Sequence, residues 1–485
     1  MIDEAQRPNA AVTFSVITLG VMAYTLLQSL VVPVLHTFQV DLHTSQTNVT
    51  WVLTVYLLSA SIFTPIMGRI GDAAGKKKVF VLSLAALAAG CLLAALATSL
   101  PVMIIARAVQ GVGGGVLPLA FGIIRDEFPK ERVAGAVGVI AAMSAVGGGA
   151  GIVLAGPIVD GLNYHWLFWV PMVMALLSAG AALLFVPESP RLPGRISLLP
   201  GLLLSAWLVA LLVPLSEASE WGWASGRTIG LLVAAVVLAG SWVVSEQRAS
   251  MPLIDLTMMR RRGVWTANLV ALLLGVGMYA AFGFVPQFVQ TPSSAGYGFG
   301  MDITQSGLIL LPLTAGTFLT GSVAAPLAER LGGRIVLFVG SLLGLGGVAM
   351  LAWTHDEQWE LYVATGLFGL GLGLAYATMS SLVVRAVPAE QTGVASGMNA
   401  NIRTIGGSIG SAVMASIVTA KLQPSGLPKE SGYTVGFAVL VGAMLVAALV
   451  ALLVPRDEAD EPEVILRHAE LGLVAAGTLV GDESE

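Results

Sequence analysis

Arg107, Gln110, Gly111 and Gly114 fall at i, i+3, i+4 and i+7 inside an apolar run, the spacing of one face of an α-helix. An ionised guanidinium at membrane depth costs at least ~2.5 kcal/mol, so it must face protein or water. The stripe therefore reads either as the lining of a central cavity or as a structural arginine held by neighbouring carbonyls. Asn399, Arg403, Gly406 and Gly410 repeat the pattern at i, i+4, i+7 and i+11. Glycines so placed let another helix approach closely, whereas Asn399 and Arg403 suit a cavity wall or a gate. Gln28, polar inside the first apolar run, joins them as a cavity candidate.

A different chemistry sits in Gly68–Lys78, where the acid Asp72 precedes Gly75 and the basic run Lys76, Lys77, Lys78. At an offset of 257 residues Asp72 falls on Glu329 and Gly75 on Gly332. Gly68, Asp72, Gly75 and Lys76, with Glu329 and Arg330 in the second copy, read as a latch whose charges make and break as two halves move. The plainer reading is that the lysines only set membrane topology.

Other chemistries find little support. Cys91 stands alone, which excludes an internal disulfide or a cysteine metal cluster. His36, His43, His165 and His355 fall near segment ends. Gly406–Gly410 matches a nucleophile elbow by letters, but that motif needs a strand–turn–helix setting. Glycines 111, 113, 114 and 115 lack the spacing and Lys-Ser/Thr ending of a phosphate loop. No cofactor, metal, nucleic acid or ATP is implied, and an ion gradient is left as the energy source. No carboxylate lies in the centre of an apolar run. Asp72, Asp126 and Glu127, near segment ends, are the candidate proton carriers.

The elements that must position these residues follow from composition. Of 485 residues 56% are hydrophobic and 11% charged, with net charge −5 and mean hydropathy +0.85. Soluble domains carry roughly 25% charged residues, so lipid is the solvent that tolerates this chain. Asp3 and Glu4 against Arg7 give no basic leader region, and the first apolar run is expected to remain as a helix. Runs long enough to span lie near 12–35, 50–69, 79–98, 101–124, 133–156, 165–186, 197–215, 227–245, 265–288, 305–325, 334–353, 361–384, 393–420 and 433–454. With the N-terminus in the cytoplasm, nineteen basic residues lie on the cytoplasmic side. Only Arg227, Lys421 and Lys429 face out, as the positive-inside rule requires. Trp166, Trp221, Trp223 and Trp359 sit near the expected interfaces.

The fold expected is an all-α integral membrane protein of two six-helix bundles (12–186 and 264–454) with two linker helices in 187–263. Residues 1–11 form a cytoplasmic N-terminus and 455–485 an acidic cytoplasmic tail. Parallel halves related about the membrane normal are a transporter architecture.

These residues resemble the major facilitator superfamily, and within it the fourteen-helix drug:proton antiporters. The resemblance rests on Gly68–Lys78, on Arg107-Ala108-Val109-Gln110-Gly111, and on Trp51-Val52-Leu53-Thr54-Val55-Tyr56. It implies two-bundle alternating access and proton-driven export of hydrophobic compounds, antibiotics or the cell's own metabolites, by a monomer in the cell membrane. A symporter importing a neutral metabolite on the same fold is the second reading; a non-transporting receptor or enzyme would need a catalytic cluster or soluble domain. Two departures stand out. The family's first-helix acid is replaced by Leu26-Leu27-Gln28-Ser29-Leu30-Val31, and the fifth-helix Gly-Pro is absent from Gly151–Gly156. With Arg107 and Arg403 both positive, the cavity is expected to repel lipophilic cations such as ethidium and accept neutral or anionic amphipaths.

The charge bias places both termini in the cytoplasm. A C-terminal fusion to alkaline phosphatase should therefore be inactive in cells; an active fusion would refute the topology.

Overall fold

The computed structural model describes residues 10–455, apart from 45, 190–197, 250, 251, 253, 255, 389, 390, 421 and 426. Residues 1–9, 456–485, Arg191, Arg195 and Lys421 lie outside the described residues, with the expectations placed on them.

Among the described residues thirteen helices are long and apolar enough to cross a membrane. A further helix, Leu198–Trp221, holds a shorter apolar run, Leu199–Leu215, followed by Glu217 and Glu220. The first six helices are Ala10–Leu30, Gln46–Ala74, Lys76–Ala95, the fourth beginning at Leu100, Lys130–Gly161 and Trp166–Phe185. Leu198–Trp221 and Gly226–Arg248 are the linker pair. The last six are Arg262–Gln290, the tenth beginning at Ile303, Gly333–Trp353, Gln358–Ala386, Thr392–Thr419 and Glu430–Ala451. The chain is an all-α, multi-pass membrane protein.

Two helices are interrupted where proline removes a backbone donor. The fourth runs Leu100–Gly111, tightens into a 3-10 turn at Val112–Gly115, and resumes as Val116–Glu127 with Pro118 in its first turn. The tenth breaks at Leu310 between Ile303–Ile309 and Leu311–Leu331, ahead of Pro312.

Gly68–Asp72 is helix rather than loop, a correction to the sequence boundary at 69. The second helix continues to Ala74, stops at Gly75 with φ 111, and the third starts at once at Lys76. The second half repeats this: the tenth helix ends at Leu331, Gly332 has φ 83, and the eleventh starts at Gly333. Positive φ is open to glycine without steric cost, so the repeated letters mark a repeated backbone reversal.

The halves meet through two seams. The fifth helix packs on the tenth and twelfth, and the thirteenth packs on the second and fourth. The linker helix Leu198–Trp221 lies along the second seam, touching the second and thirteenth helices. Trp223 Nε1, one turn beyond it, donates to Ser416 Oγ at 2.6 Å. Its partner Gly226–Arg248 turns Val236 and Val237 outward, toward the lipid side. Trp166, Trp223 and Trp359 are exposed, consistent with an interfacial aromatic belt.

Within the second half small residues set the helix spacing. A Cβ at Gly371 would land on the backbone of Gly344 and Gly340 across the eleventh–twelfth contact, whereas nothing lies within 4 Å of one at Gly180. Overpacking of this kind costs roughly 1–3 kcal/mol. Gly371→Ala should therefore lower the melting temperature in detergent micelles, and Gly180→Ala should leave it unchanged. Equal melting of the two variants would contradict the packing.

Candidate functional site

A cavity of about 560 Å³ lies between the halves. It is lined from mid-depth (Thr64, Leu117, Ala400) to the end opposite the basic loops (Pro33, Leu35, Gln290, Ala415). Polar hydroxyls and amides are scattered over an apolar wall that includes Leu53, Leu57, Ile152, Met278 and Phe282. That is the balance expected of a small-molecule site. Leu215, from the linker helix, forms part of the wall.

Arg403 is the charged side chain of this lining; among the described residues no carboxylate lines the cavity. Its guanidinium carbon lies 4.4 Å from the centre of the Tyr376 ring. Tyr24 stands within electrostatic reach of Arg403, Tyr279 and Tyr376. Gln28 Nε2 donates to Tyr279 Oη at 2.9 Å, tying the first helix to the ninth across the cavity. The thirteenth helix presses Arg403 into place because Gly275 of the ninth lies against the Arg403 carbonyl and Gly406 against the Leu272 carbonyl. The glycines of this stripe are packing residues. Gln28 and Arg403 line the cavity as the sequence suggested.

Arg107, Gln110 and Gly111 do not, which corrects the cavity reading for these three; of that stripe Gly114 lines the cavity. All three are buried and absent from the cavity wall. Arg107 is fully buried behind Tyr56, with its guanidinium carbon 4.1 Å from the ring centre. Nε donates to the Val52 carbonyl at 2.9 Å and Nη1 to Gln110 Oε1 at 2.7 Å. Gln110 Nε2 in turn reaches Cys91 Sγ at 3.8 Å. A Cβ at Gly111 would strike Ser59 of the second helix. The carbonyl-held alternative describes Arg107: it knits the second and fourth helices and backs the cavity tyrosine. Asn399 is also displaced from the cavity, donating through Nδ2 to Asn268 Oδ1 at 2.9 Å. Its register faces the ninth helix, one turn from the cavity-facing Arg403.

The residues expected to form a latch lie at the basic end, away from the cavity. Asp72 and Lys76 are buried. Lys76 Nζ sits 2.7 Å from Asp126 Oδ2 and 3.8 Å from Asp72 Oδ1, joining the ends of three helices. The Asp72 carboxylate lies against the N–H of Val394, in the first turn of the thirteenth helix, without closing a complete hydrogen bond. A helix N-terminus carries partial positive charge, so this is attraction between the halves. Arg125 adds a second tie, donating from Nη1 to the Val384 carbonyl and to Thr392 Oγ1, the latter at 2.8 Å. Gly68 is buried beside them. Gly75 faces Glu188, whose carboxylate a Cβ would strike. Glu329 and Arg330 are exposed and do not reach this seam. The sequence repeat is thus matched in backbone and not in latch contacts, because the thirteenth helix lies over Asp72 alone. Asp126 and Glu127 are half-buried at the same end, and neither they nor Asp72 line the cavity.

The sequence profile of the Major Facilitator Superfamily matches residues 17–411 and 269–480. The chain belongs to that superfamily. It is accordingly a small-molecule transporter, and its relatives agree. It is 28% identical over 415 residues to the tetracenomycin C resistance and export protein of Streptomyces glaucescens, covering 84% of this chain and 76% of that one. It is 28% identical over 388 residues to the multidrug transporter protein MdtP of Bacillus subtilis (strain 168), covering 77% and 69%. A multidrug resistance protein B homolog of Mycobacterium tuberculosis (strain ATCC 25618 / H37Rv) is 28% identical over 424 residues, covering 83% and 77%. The human organic anion transporter MFSD10 shares the fold with a TM-score of 0.64 over 92% of this chain and all of that one, at 16% identity.

Sequence reasoning missed Tyr24, Tyr279 and Tyr376, which come from three separate helices of this superfamily member. Each is a lone tyrosine in an apolar run, and nothing local marks it as facing a cavity.

Arg107→Lys keeps the charge but cannot reach Val52, Gln110 and the Tyr56 face together, since an ammonium lacks the guanidinium fork. Losing a buried charged hydrogen bond costs about 1.5–3 kcal/mol, roughly tenfold or more in an equilibrium. Transport by Arg107→Lys should fall at least about tenfold. Substrate affinity should hold, because the cavity lining is intact. Unimpaired transport at matched expression would reduce Arg107 to packing.

Proposed function

We propose that this protein exports amphipathic small molecules by alternating access, energised by proton antiport. The linker helix Leu198–Trp221 serves as a fourteenth span, and the basic end lies in the cytoplasm. The observation that carries the reading is a cavity between the halves that is tied shut at the basic end and reaches the opposite end. A substrate released from such a cavity leaves on the side away from the basic loops. The exporters and multidrug transporters among its relatives support the direction.

In this reading the basic-end seam is the latch. Asp72 on the N-terminus of the thirteenth helix, and Arg125 on the twelfth and thirteenth, stabilise the state open to the outside. Releasing them lets the halves rock and admits cytoplasmic substrate. Protonation of Asp72 would weaken its hold on the helix, which makes it the carboxylate best placed to couple proton entry to rocking. The Lys76 bridge to Asp126 keeps the second, third and fourth helices together while this happens.

Charge–dipole contacts in partly buried settings are worth up to ~2 kcal/mol. Asp72→Asn should shift the two-state equilibrium roughly five- to thirtyfold and slow turnover, with the substrate dissociation constant little changed. Compound accumulation in cells expressing wild type, the variant or neither, with and without a protonophore, tests both claims together. Accumulation insensitive to the wild-type protein would refute export. Turnover unchanged in the variant with a raised dissociation constant would refute the latch.

A further inference from the structure

The two deep arginines are provided for in opposite ways. Arg107 has a carbonyl, an amide and a ring face supplied by its own half. Arg403 is nine-tenths buried with its guanidinium over the Tyr376 face, and among the described residues it makes no side-chain hydrogen bond. Among the described residues no carboxylate pairs with it, and its remaining surface fronts the cavity.

A guanidinium in that position has unmet needs that depend on what fills the cavity. Water meets them while the cavity is empty of substrate. A neutral ligand that displaces the water without offering an acceptor leaves buried N–H donors unpaired, which is costly for a charged group. A cation adds like-charge repulsion at low dielectric with no carboxylate to offset it. One anionic group restores the balance and gains the fork-like pairing that arginine offers to a carboxylate or sulfonate. A second anionic group would find no second cation in the wall.

The rest of the wall fits the remainder of such a molecule. Tyr24, Tyr279, Tyr376 and Phe282 all line the same space, and aromatic rings suit a flat apolar body. Gln28 and the Tyr279 hydroxyl supply neutral polar contacts beside it. Arg403 belongs to the second half and Gln28 and Tyr24 to the first, so one molecule held by both would bridge the halves.

We infer that the cavity is built for amphipathic monoanions: a planar apolar body lodged among the tyrosines, with a single carboxylate-type group on Arg403. This rests on the reading of the cavity as the substrate site. It narrows that reading from amphipaths in general to one charge class.

Three probes with the same ring separate the possibilities: 9-anthracenecarboxylate, the neutral 9-anthracenemethanol, and (9-anthracenylmethyl)trimethylammonium. Binding to the full-length protein in nanodiscs is measured for each, with protein-free discs subtracted. The wild type should bind the carboxylate at least tenfold more tightly than the ammonium probe. Arg403→Gln should lose at least tenfold for the carboxylate and lose nothing for the alcohol, and Arg403→Lys should recover part of the loss. The ranking of the three probes on the wild type decides the matter even if Arg403→Gln does not fold. Equal or tighter binding of the ammonium probe overturns the inference, as does carboxylate affinity unmoved by a folded Arg403→Gln. Because binding is read without flux, a protein that holds the carboxylate and exports nothing refutes export while supporting this site. Efflux from cells that is indifferent to probe charge supports export and refutes this site.

Discussion

A positive charge cannot rest unpartnered in hydrocarbon, and the two guanidiniums at membrane depth organise much of this protein around that constraint. Arg107 is held from within its half: the Val52 carbonyl accepts from Nε, Gln110 Oε1 from Nη1 and the Tyr56 ring faces the guanidinium, with Nη2 left without a hydrogen bond. The enclosure fixes the second helix against the fourth and holds Tyr56 as a wall of the cavity. Arg403 is left facing that wall from the other half, with an aromatic face beneath it and open space in front. One arginine therefore builds the cavity and the other gives it a charge.

Close helix contact is what allows such exact placement without polar groups facing lipid. Lipid tails give no hydrophobic drive for helix association, so packing at short range must supply the attraction. Gly275 and Gly406 draw the ninth and thirteenth helices together until each touches the other's carbonyls, and this fixes the rotation of Arg403. Gly371 and Gly344 do the same for the eleventh and twelfth. The first half relies on Gly111 and Gly114 against Ser59, Ala60 and Thr64. Proline at 118 and 312 interrupts two helices, and both breaks lie within protein contacts, where backbone groups can find partners.

The repeat separates architecture from function. Gly75 and Gly332 both reverse the chain between consecutive helices at equivalent points. The first copy has an acid buried against the opposing half, Asp72 beside the start of the thirteenth helix, whereas Glu329 in the second copy is exposed. The two halves are thus alike in backbone and different in whether the acid is buried against the opposite half. The linker helix Leu198–Trp221 lies on the seam between the second and thirteenth helices.

The sequence alone determined the membrane class, the repeat and thirteen of the fourteen expected spans, because hydropathy, helical spacing and positive-φ glycine act over a few residues. It also singled out Arg107, Arg403 and Asp72, since a charge in an apolar run is conspicuous wherever the chain goes. Tertiary structure decided what each of them does. Whether Arg107 faced a cavity or a carbonyl depended on the rotation of the fourth helix, which is set by how closely Gly111 approaches Ser59. The displacement of Asn399 from the cavity and the inclusion of Arg403 turn on one helical turn against Gly275. The cavity tyrosines come from positions 24, 279 and 376, and no local pattern links residues so far apart. Their meeting is a property of the two halves packed together, where the shape of the space between helices is fixed by contacts that no single helix contains.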